Sequence, residues 1–495
     1  MTPTNPSRRP LRVNLVSLGC AKNLIDSERM LAVLGQAGML LVGADDPADA
    51  TIINTCGFIE DARREAFTAI ERALRQKRAR RTRRVVVAGC LAQYWGENLR
   101  KRYPGIDAIV GLAGRDELAG VVDRVAGNAG ATRSRQGRPG ETAAADVRLE
   151  PFRRQAADDR VRLRLTERCW AYLRISEGCS QGCAFCSIPR IRGPFRSKPP
   201  DLVLAEAREL LADGAVELNL IGQETTGYGR DIGYRAGLAG LLRRINALPG
   251  LRWLRVLYAH PATLSDRHIA ALAECDKVVP YLDLPLQHIN DRLLRLMNRR
   301  LDRAGIEDLL GRLHAAIDKL AIRTTMMVGF PTETEAESAE LLEFVRRQRF
   351  AALGAFVYSP EPRTAAARLR PAVEEIVARE RYEQLLLAQQ QIAFDQAQAL
   401  VGARLDCLVL AELSRPEAHA ARLDRRRRWL LARHARQAPE IDGVCYLACP
   451  ASRSVPLGAI VPAEIIGRRD YDLIGRWVVS RAGRGGASGG RAIIE

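Results

Sequence analysis

No apolar run in this 495-residue chain approaches the ~20 residues that a membrane-spanning helix needs. A convincing export signal is also missing, because the apolar stretch in RRPLRVNLVSLGC is short and Asn14 interrupts it. These two absences predict a cytoplasmic protein that does not use a membrane. In that compartment, a set of eleven cysteines indicates metal binding or catalysis rather than disulfides.

Acidic residues are too few to balance the basic ones. The chain has 76 Lys plus Arg against 58 Asp plus Glu, a formal net charge of +18 that comes almost entirely from arginine. From Gln396 onward there are 16 Arg against 10 acidic residues, many of them in RRRRWLLARHAR. This excess favours an anionic partner such as RNA or a ribosome, although it says nothing about the fold.

The overall pattern is that of an α/β protein with three folded parts. Over residues 11–127, short β-branched runs alternate with amphipathic stretches, which predicts an N-terminal parallel α/β domain. Residues 128–162 are rich in Gly, Pro and charge and are predicted to be a linker. Over residues 163–395, six further β/α units predict a central partial (β/α)6 barrel, since a full eight-unit barrel would need more chain.

The end of the chain has a different character. Residues 374–400 are rich in helix formers and predict one long helix, and residues 396–475 have shorter β-like segments typical of a small β-barrel. The two extremities, residues 1–10 and the Gly/Arg-rich residues 476–495, are predicted to be disordered.

A fourth cysteine is missing from the most compact cysteine motif. Cys179, Cys183 and Cys186 have C-x3-C-x2-C spacing, whereas a structural zinc site needs four ligands. Three thiolates can instead hold three corners of a cubane 4Fe–4S cluster, leaving one iron open to a small molecule. The motif follows the first predicted barrel strand, at the end of the barrel where such folds place their chemistry.

A second set of three cysteines is spread over the N-terminal domain. Cys20, Cys56 and Cys90 each come one to three residues after a predicted strand. The carboxyl ends of parallel strands meet at one edge of a sheet, so these thiols can converge on a second three-ligand cluster. Three packed cysteines at strand ends are the alternative that spacing leaves open. Cys445 and Cys449 lie in an apolar β-like run and are predicted to pack in a core.

The compact motif, with Phe185 before its last cysteine, resembles the radical S-adenosylmethionine (SAM) family. With both cysteine triads, the chain from Leu11 to about Gly475 resembles methylthiotransferases, which combine a three-cysteine domain, a radical-SAM core and a C-terminal TRAM barrel. The segments VSLGCAKNLIDSERML, INTCGFIEDAR, PYLDLPLQHINDRLLRLMNRR and TTMMVGFPTETE are similar to the ribosomal-protein aspartate methylthiotransferases, the RimO family.

This resemblance implies addition of a methylthio group to the β-carbon of an aspartate in small-subunit ribosomal protein twelve, with two SAM molecules used per product. It implies that Cys179, Cys183 and Cys186 hold the SAM-cleaving 4Fe–4S cluster. It further implies that Cys20, Cys56 and Cys90 hold an auxiliary 4Fe–4S cluster that carries the sulfur. The implied partners are ribosomal protein twelve or the assembled small subunit and an electron donor such as flavodoxin or ferredoxin. The basic C-terminal barrel, by its charge, suits contact with ribosomal RNA.

Polar residues that contact SAM are harder to assign. Gln223 and Glu224 in LIGQETTGYG follow the second predicted barrel strand and are the candidates, with an exposed turn as the alternative. His260 and His288 are expected to pack or to cap helices, so no catalytic residue is assigned. The family more often has Asp at the position of Glu224 and Gly at that of Thr332.

Two other functions stay open on the sequence alone. The basic C-terminal barrel also suits a methylthiotransferase that modifies tRNA adenosine. The third possibility is a non-catalytic iron–sulfur protein that binds RNA.

Overall fold

The computed structural model describes residues 9–127, 146–152, 155–424, 426–450, 454 and 457–478. The chain divides into two compact units, the first ending at Ala393 and the second beginning at Phe394. The ends predicted to be disordered lie outside the described residues, except for residues 9–10 and 476–478. Within the described ranges, no helix combines the length and the apolar character that crossing a membrane requires.

The first unit begins with a six-stranded parallel sheet. Its strands are β1 (Arg12–Ser17), β2 (Leu40–Leu41), β3 (Ala48–Thr55), β4 (Thr82–Gly89), β5 (Ala108–Val110) and β6 (Asp146–Arg148), in the order β2-β1-β3-β4-β5-β6. The helices are α1 (Ala21–Gln36), α2 (Glu60–Arg78), α3 (Cys90–Arg102) and α4 (Leu118–Val122).

Helices cover both faces of this sheet, which explains the continuous apolar runs of its central strands. Ile52 of β3 packs in a core with Met30 of α1, and its neighbour Ile53 packs on the other side with Ile70 of α2. All eight residues of β3 are buried. This confirms the predicted N-terminal parallel α/β layer.

Strand β6 lies inside the segment that the sequence analysis assigned to a linker. It pairs in parallel with β5, from Asp146 opposite Ala108 to Arg148 opposite Val110. Three residues with two charges give no apolar period, so this strand has no signature of its own. It forms because β5 offers a free edge to hydrogen-bond.

The rest of the first unit is built on a second parallel sheet. Its strands are β7 (Trp170–Arg174), β10 (Glu217–Ile221), β11 (Trp253–Val256), β12 (Val278–Asp283), β13 (Ala321–Val328) and β14 (Ala352–Val357), in the order β14-β13-β12-β11-β10-β7. A short antiparallel ribbon of β8 (Ser176–Glu177) and β9 (Arg196–Ser197) follows β7. Six parallel strands confirm the predicted (β/α)6 arrangement.

Helices alternate with these strands. They are α5 (Ile188–Ile191), α6 (Pro200–Ala212), α7 (Gly237–Asn246), α8 (Asp266–Glu274), α9 (Asp291–Leu296), α10 (Arg303–Ala316) and α11 (Glu335–Gln348). Local sequence fixes several helix starts: Asn290 accepts backbone N–H groups at the start of α9, and Thr334 forms a reciprocal capping box with Glu337 at the start of α11.

The second unit contains a closed five-stranded barrel. A 25-residue helix, α12 (Glu375–Ala399), precedes β15 (Arg404–Glu412), α13 (Arg415–Ala420), β16 (Arg428–His434), β17 (Cys445–Cys449), β18 (Ile460–Arg469) and β19 (Asp472–Trp477). The barrel closes in the order β15-β16-β17-β19-β18, which confirms the predicted small β-barrel. Cys407, Cys445 and Cys449 lie in its apolar core, as the sequence predicts for Cys445 and Cys449.

Gly89, the last residue of β4, is required by the backbone that leads into Cys90. Its φ is +92°, and a Cβ there would lie 2.2 Å from Oδ1 of Asn54 and 2.7 Å from the carbonyl oxygen of Thr55. Gly38 has a comparable φ of +76° but open space around it. A side chain at Gly38 would therefore cause backbone strain alone, whereas a side chain at Gly89 would cause both strain and a steric clash.

We expect Gly89→Ala to lower the free energy of unfolding by about 3 kcal/mol, from strain plus overpacking. Gly38→Ala should cost only about 1 kcal/mol, because it adds strain alone. Urea denaturation of both variants measures the difference. Equal losses would show that the crowding around Gly89 does not matter.

Candidate active site

The first thiol triad lies at the carboxyl edge of the N-terminal sheet. Cys20 directly precedes α1, Cys56 directly follows β3, and Cys90 follows β4 as the first residue of α3. Their strands are neighbours in the sheet, so the three residues meet at one edge, as the sequence predicts. A Cβ on Gly19 would lie 2.7 Å from Cβ and 3.4 Å from Sγ of Cys56, which places the Cys20 turn against Cys56.

The thiols of this triad differ in their ease of ionisation. Burial raises the pKa of Cys90 to about 12 and also raises that of Cys56, and the nearby Cys20 thiolate adds to both shifts. Burial acts in the same direction on Cys20, but the positive charges of Lys22 and Arg192 outweigh it and lower its pKa. The positive charge that would stabilise a group of thiolates is therefore already present at this edge.

Asn23 holds the triad together through its side-chain amide. Its Nδ2 donates to the carbonyl oxygens of Leu18, at 2.7 Å, and Thr55, at 3.1 Å. Its Oδ1 lies 3.6 Å from Sγ of Cys90 and accepts a hydrogen bond from Nη2 of Arg192 at 3.0 Å. One side chain thus joins the ends of β1 and β3 to Cys90 and to the central barrel.

The second triad lies on the loop between β8 and α5. Gly178 is required here, since its φ is +74° and a Cβ would lie 2.1 Å from the carbonyl oxygen of Pro194. Burial raises the pKa of Cys179 to about 11 and that of Cys186 to about 12, and the neighbouring thiol of Cys183 contributes to both shifts. The thiols of this loop therefore lie close enough to influence one another's ionisation.

Arg299 brings positive charge to this loop and is held by His260. Its Nη1 lies 3.7 Å from Sγ of Cys183 and 2.9 Å from Nε2 of His260. Burial, followed by the charge of Arg299, lowers the pKa of His260 to about 3, so the neutral ring accepts from the guanidinium. The sequence analysis did not identify Arg299, because a single arginine after a helix carries no distinguishing pattern.

The two SAM-contact candidates lie next to the cysteine loop. Oε1 of Gln223 accepts from the backbone N–H of Gly178 at 2.7 Å. Glu224 is buried, and its Oε1 accepts from the hydroxyls of Thr226, at 2.7 Å, and Thr263, at 3.0 Å. The exposed-turn alternative is therefore wrong for Glu224.

His288 has a structural role. It is fully buried, its Nε2 lies 3.2 Å from Oε1 of Glu333, and its Nδ1 accepts from the backbone N–H of Asn290 at 3.0 Å. This agrees with the expectation of a packed or capping histidine.

A buried ion network connects the two triads. We use this name for Asp26, Arg115, Asp159, Arg174, Glu177, Arg192, Lys198 and Glu206. At its centre, Asp26 of α1 accepts hydrogen bonds from Arg115 at 2.7 Å, Arg174 at 2.8 Å and Arg192 at 2.8 Å. All four side chains are at most 4% exposed.

The network continues through the segment predicted to be a linker. Asp159 accepts from Arg115 at 2.7 Å, from Arg174 at 2.6 Å and from Lys198 at 2.7 Å, and Lys198 also donates to Glu206 at 2.6 Å. Asp159 is 2% exposed, so this part of the segment is packed. The sequence analysis did not predict this network, because it relied on the spacing of apolar residues and charged residues were expected at the surface.

Arg192 ties the two triads to one another. It follows the Cys179–Cys186 loop in sequence, and it donates to Asn23 and Asp26, which follow Cys20. Its charge also acts on Cys20 and Cys90. The N-terminal edge and the barrel loop are therefore held in one arrangement.

Lys22 lies where the N-terminal edge meets the carboxyl edge of the barrel sheet. It is 5% exposed, and its Nζ lies 2.8 Å from the ring centroid of Tyr258, which follows β11. Burial lowers the pKa of Lys22 to about 7, against the opposing charges of Cys20 and Asp283. The backbone N–H of Tyr258 donates to Oδ2 of Asp283, at the end of β12, at 3.0 Å.

Both triads fit an iron–sulfur cluster by the chemistry of their donors. Each offers three thiols, which are the ligands of such clusters, and each has a nearby guanidinium, Arg192 or Arg299, to offset the negative charge. Within the described ranges, no three His, Cys, Asp or Glu side chains are placed to share a single metal ion.

We expect Asp26→Asn to lower the free energy of unfolding by about 3–5 kcal/mol, because three buried arginines lose their shared anion. Burial alone would raise the pKa of Asp26, but Arg174, Arg192 and Arg115 lower it below its ordinary range. Its contribution is therefore complete near neutral pH and is lost only as the pH falls through this lowered value. Urea denaturation at neutral pH measures the change.

The matched control is Asp61→Asn. Asp61 is exposed and lies 3.6 Å from Arg64, so its loss should cost less than about 1 kcal/mol. A similar small loss for Asp26→Asn would contradict the importance of the network.

Three family models match successive parts of the chain. Residues 12–111 match Uncharacterized protein family UPF0004, residues 173–345 match the Radical SAM superfamily, and residues 421–478 match the TRAM domain. These ranges cover most of the N-terminal sheet, of the central parallel sheet and of the closed barrel.

Similar proteins cover almost the whole chain. It is 41% identical over 477 residues to the ribosomal protein uS12 methylthiotransferase RimO of Anaeromyxobacter sp. (strain K), covering 96% of this chain and 95% of the relative. It is 40% identical over 467 residues to the protein of the same name from Geotalea uraniireducens (strain Rf4), covering 94% and 98%.

Among solved structures, the fold is similar to that of the radical S-adenosylmethionine methyltransferase TsrM from Kitasatospora setae, solved with cobalamin and a 4Fe–4S cluster bound. The TM-score is 0.50 at 15% identity, covering 80% of this chain and 76% of that one, so this likeness concerns the fold alone. The relatives, the three matched models and the two thiol triads lead to one conclusion: the chain belongs to the RimO family of methylthiotransferases and is a radical SAM enzyme.

Proposed function

We propose that this enzyme adds a methylthio group to the β-carbon of an aspartate in ribosomal protein uS12, using two 4Fe–4S clusters and two SAM molecules per product. The observation that carries the proposal is the pair of thiol triads on facing edges of two sheets, joined through Arg192. The relatives named as uS12 methylthiotransferases support the choice of substrate.

Each triad has a separate role in this proposal. Cys179, Cys183 and Cys186 hold the cluster that binds SAM, and Cys20, Cys56 and Cys90 hold the auxiliary cluster. When bound, these groups supply reductive cleavage of SAM at the first site and sulfur at the second.

The residues around the triads hold the cysteine loop in place and offset the negative charge of the thiolates. Arg299 offsets the thiolate charge near Cys183, and the neutral His260 ring holds that guanidinium in place. Gln223 fixes the backbone at Gly178, directly before Cys179, and we propose that it and Glu224 also contact SAM. The Oε1 of Glu224 is already occupied by hydroxyl donors, which leaves Oε2 for that contact.

A fixed separation of the two triads suits this reaction. The β-CH2 of aspartate is too weakly acidic for ordinary base chemistry, so a hydrogen atom must be removed and the sulfur must already be within contact distance. The buried ion network supplies this rigidity, because its charges can be satisfied in only one arrangement of the two sheet edges.

Further parts of the proposal concern partners and organisation. We propose that the enzyme meets uS12, alone or in the small subunit, in the cytoplasm, and takes electrons from a protein such as flavodoxin or ferredoxin. The TRAM barrel is proposed to contact ribosomal RNA, in keeping with its excess of arginine. We also propose three domain limits: 11–127 for the N-terminal domain, 163–395 for the radical SAM domain and 396–475 for the TRAM barrel.

The roles of the triads predict different losses on mutation. After anaerobic reconstitution, replacing Cys20, Cys56 and Cys90 with Ala should leave SAM cleavage to 5′-deoxyadenosine but abolish methylthiolation of a uS12 peptide with the target aspartate. Replacing Cys179, Cys183 and Cys186 should abolish both. Each triple variant should keep about half of the iron, since one cluster of two remains.

The control replaces Cys445 with Val and Cys449 with Ala in the barrel core, which should change neither iron content nor product. Methylthiolated peptide from the Cys20, Cys56, Cys90 variant would sink the two-cluster assignment, because the sulfur would then come from elsewhere.

The substrate is tested in cells that lack this gene. Mass spectrometry of their uS12 and tRNA should show loss of the methylthio group from the aspartate of uS12, with tRNA adenosine modification intact. Loss from tRNA instead would favour the adenosine-modifying alternative, which the basic barrel otherwise suits.

A further inference from the structure

Lys22 is a buried cation without a carboxylate partner in the described part of the chain. It lies in the first turn of α1 and is 5% exposed, yet no described carboxylate lies within ion-pair distance of its ammonium. The other buried cations of this region differ in this respect. Lys198 is paired with Asp159 and Glu206 at 2.7 and 2.6 Å, and Arg174 is paired with Asp26 and Asp159.

Asp283 carries the carboxylate whose charge acts on Lys22, but this carboxylate is already hydrogen-bonded to other groups. Asp283 accepts from Nη1 of Arg323 at 2.8 Å and from the backbone N–H of Tyr258 at 3.0 Å. The ammonium of Lys22 therefore has no carboxylate of its own among the described residues and can donate a charge-assisted hydrogen bond to an anion.

Tyr258 fixes one side of this ammonium. The Nζ of Lys22 lies over its ring, 2.8 Å from the centroid. Tyr258 adopts a φ of +59°, a left-handed conformation that is rare for a bulky aromatic residue. Such strain concentrates at functional sites, and here it occurs at the residue whose ring Lys22 contacts.

Lys22 is linked to both thiol triads through its neighbours. On one side, it follows Cys20 by two residues and precedes Asn23, whose Oδ1 lies 3.6 Å from Sγ of Cys90. On the other side, the carbonyl oxygen of Tyr258 accepts from the backbone N–H of Thr225 at 3.1 Å, and Thr225 follows Gln223, which holds the backbone directly before Cys179. These contacts place Lys22 at the junction of the two edges that carry the triads.

We propose that the ammonium of Lys22 binds the side-chain carboxylate of the substrate aspartate, making Lys22 the residue that selects an acidic side chain. The inference rests on the proposed function and deepens it. The carboxylate carbon of aspartate is bonded directly to the β-carbon, so an anchored carboxylate leaves the reacting carbon one bond away from a fixed point. A charge-assisted hydrogen bond in a buried setting is strong enough to discriminate aspartate from asparagine.

The test measures binding of two uS12 peptides to the reconstituted full-length enzyme by fluorescence anisotropy. One peptide carries the target aspartate, and the other has asparagine in its place. The wild-type enzyme should bind the aspartate peptide more tightly. Lys22→Met should weaken binding of this peptide by about tenfold to a hundredfold, the usual effect of losing a hydrogen bond to a charged group, and leave the asparagine peptide nearly unaffected.

Lys101→Met is the matched control, since Lys101 is an exposed lysine of the same sheet domain, in α3. It should keep both affinities. Lys22→Gln is the second variant, in case the methionine does not fold, and should lose the preference for aspartate in the same way. Iron content is measured for every variant and should match the wild type.

The proposal is overturned if Lys22→Met or Lys22→Gln still prefers the aspartate peptide, or if the wild type shows no preference. A fall in iron content would also overturn it, because Lys22 would then serve the auxiliary thiols instead of the substrate. A wild-type enzyme that methylthiolates no uS12 peptide would refute the proposed function itself. Retained preference in the variants of a competent enzyme refutes only the role of Lys22.

Discussion

The anion of Asp26 is the constraint on which the arrangement of the first unit depends. Three arginines converge on it, one from the N-terminal domain and two from the radical SAM part of the chain. Taking so many charges out of water is costly, and the cost is offset only when every member is paired. The network therefore contributes more to the choice of this arrangement than to stability, since any docking of the two sheets that separates its members leaves buried charges unpaired.

This arrangement of the two sheets determines where the two thiol triads lie relative to one another. Parallel topology gathers Cys20, Cys56 and Cys90 at one edge, and the compact loop gathers the other three thiols at the second. Neither fact alone fixes the two edges relative to one another. Arg192 does so, because the same guanidinium contacts the residues that follow Cys20 and belongs to the segment that follows Cys186.

The two thiol triads are alike in having cations placed near buried thiols. Burial makes most of these thiols hard to ionise, as in Cys90 and Cys186, so cations must be supplied where thiolates are needed. Arg299 and Arg192 meet this need from outside the triads. Lys22 also acts on Cys20, and its ammonium lies over the ring of Tyr258 with no described carboxylate paired to it.

The sequence by itself determined the two triads and the three-part α/β architecture, because cysteine spacing and strand periodicity are local properties of the chain. The closed barrel and the buried state of Cys445 followed from the same kind of pattern. Strand β6, the burial of Asp159 and the positions of Arg299 and Lys22 were decided only by the tertiary structure. These features depend on partners far away in sequence, and a charged residue looks the same in a sequence whether its counter-charge is a distant side chain or the solvent.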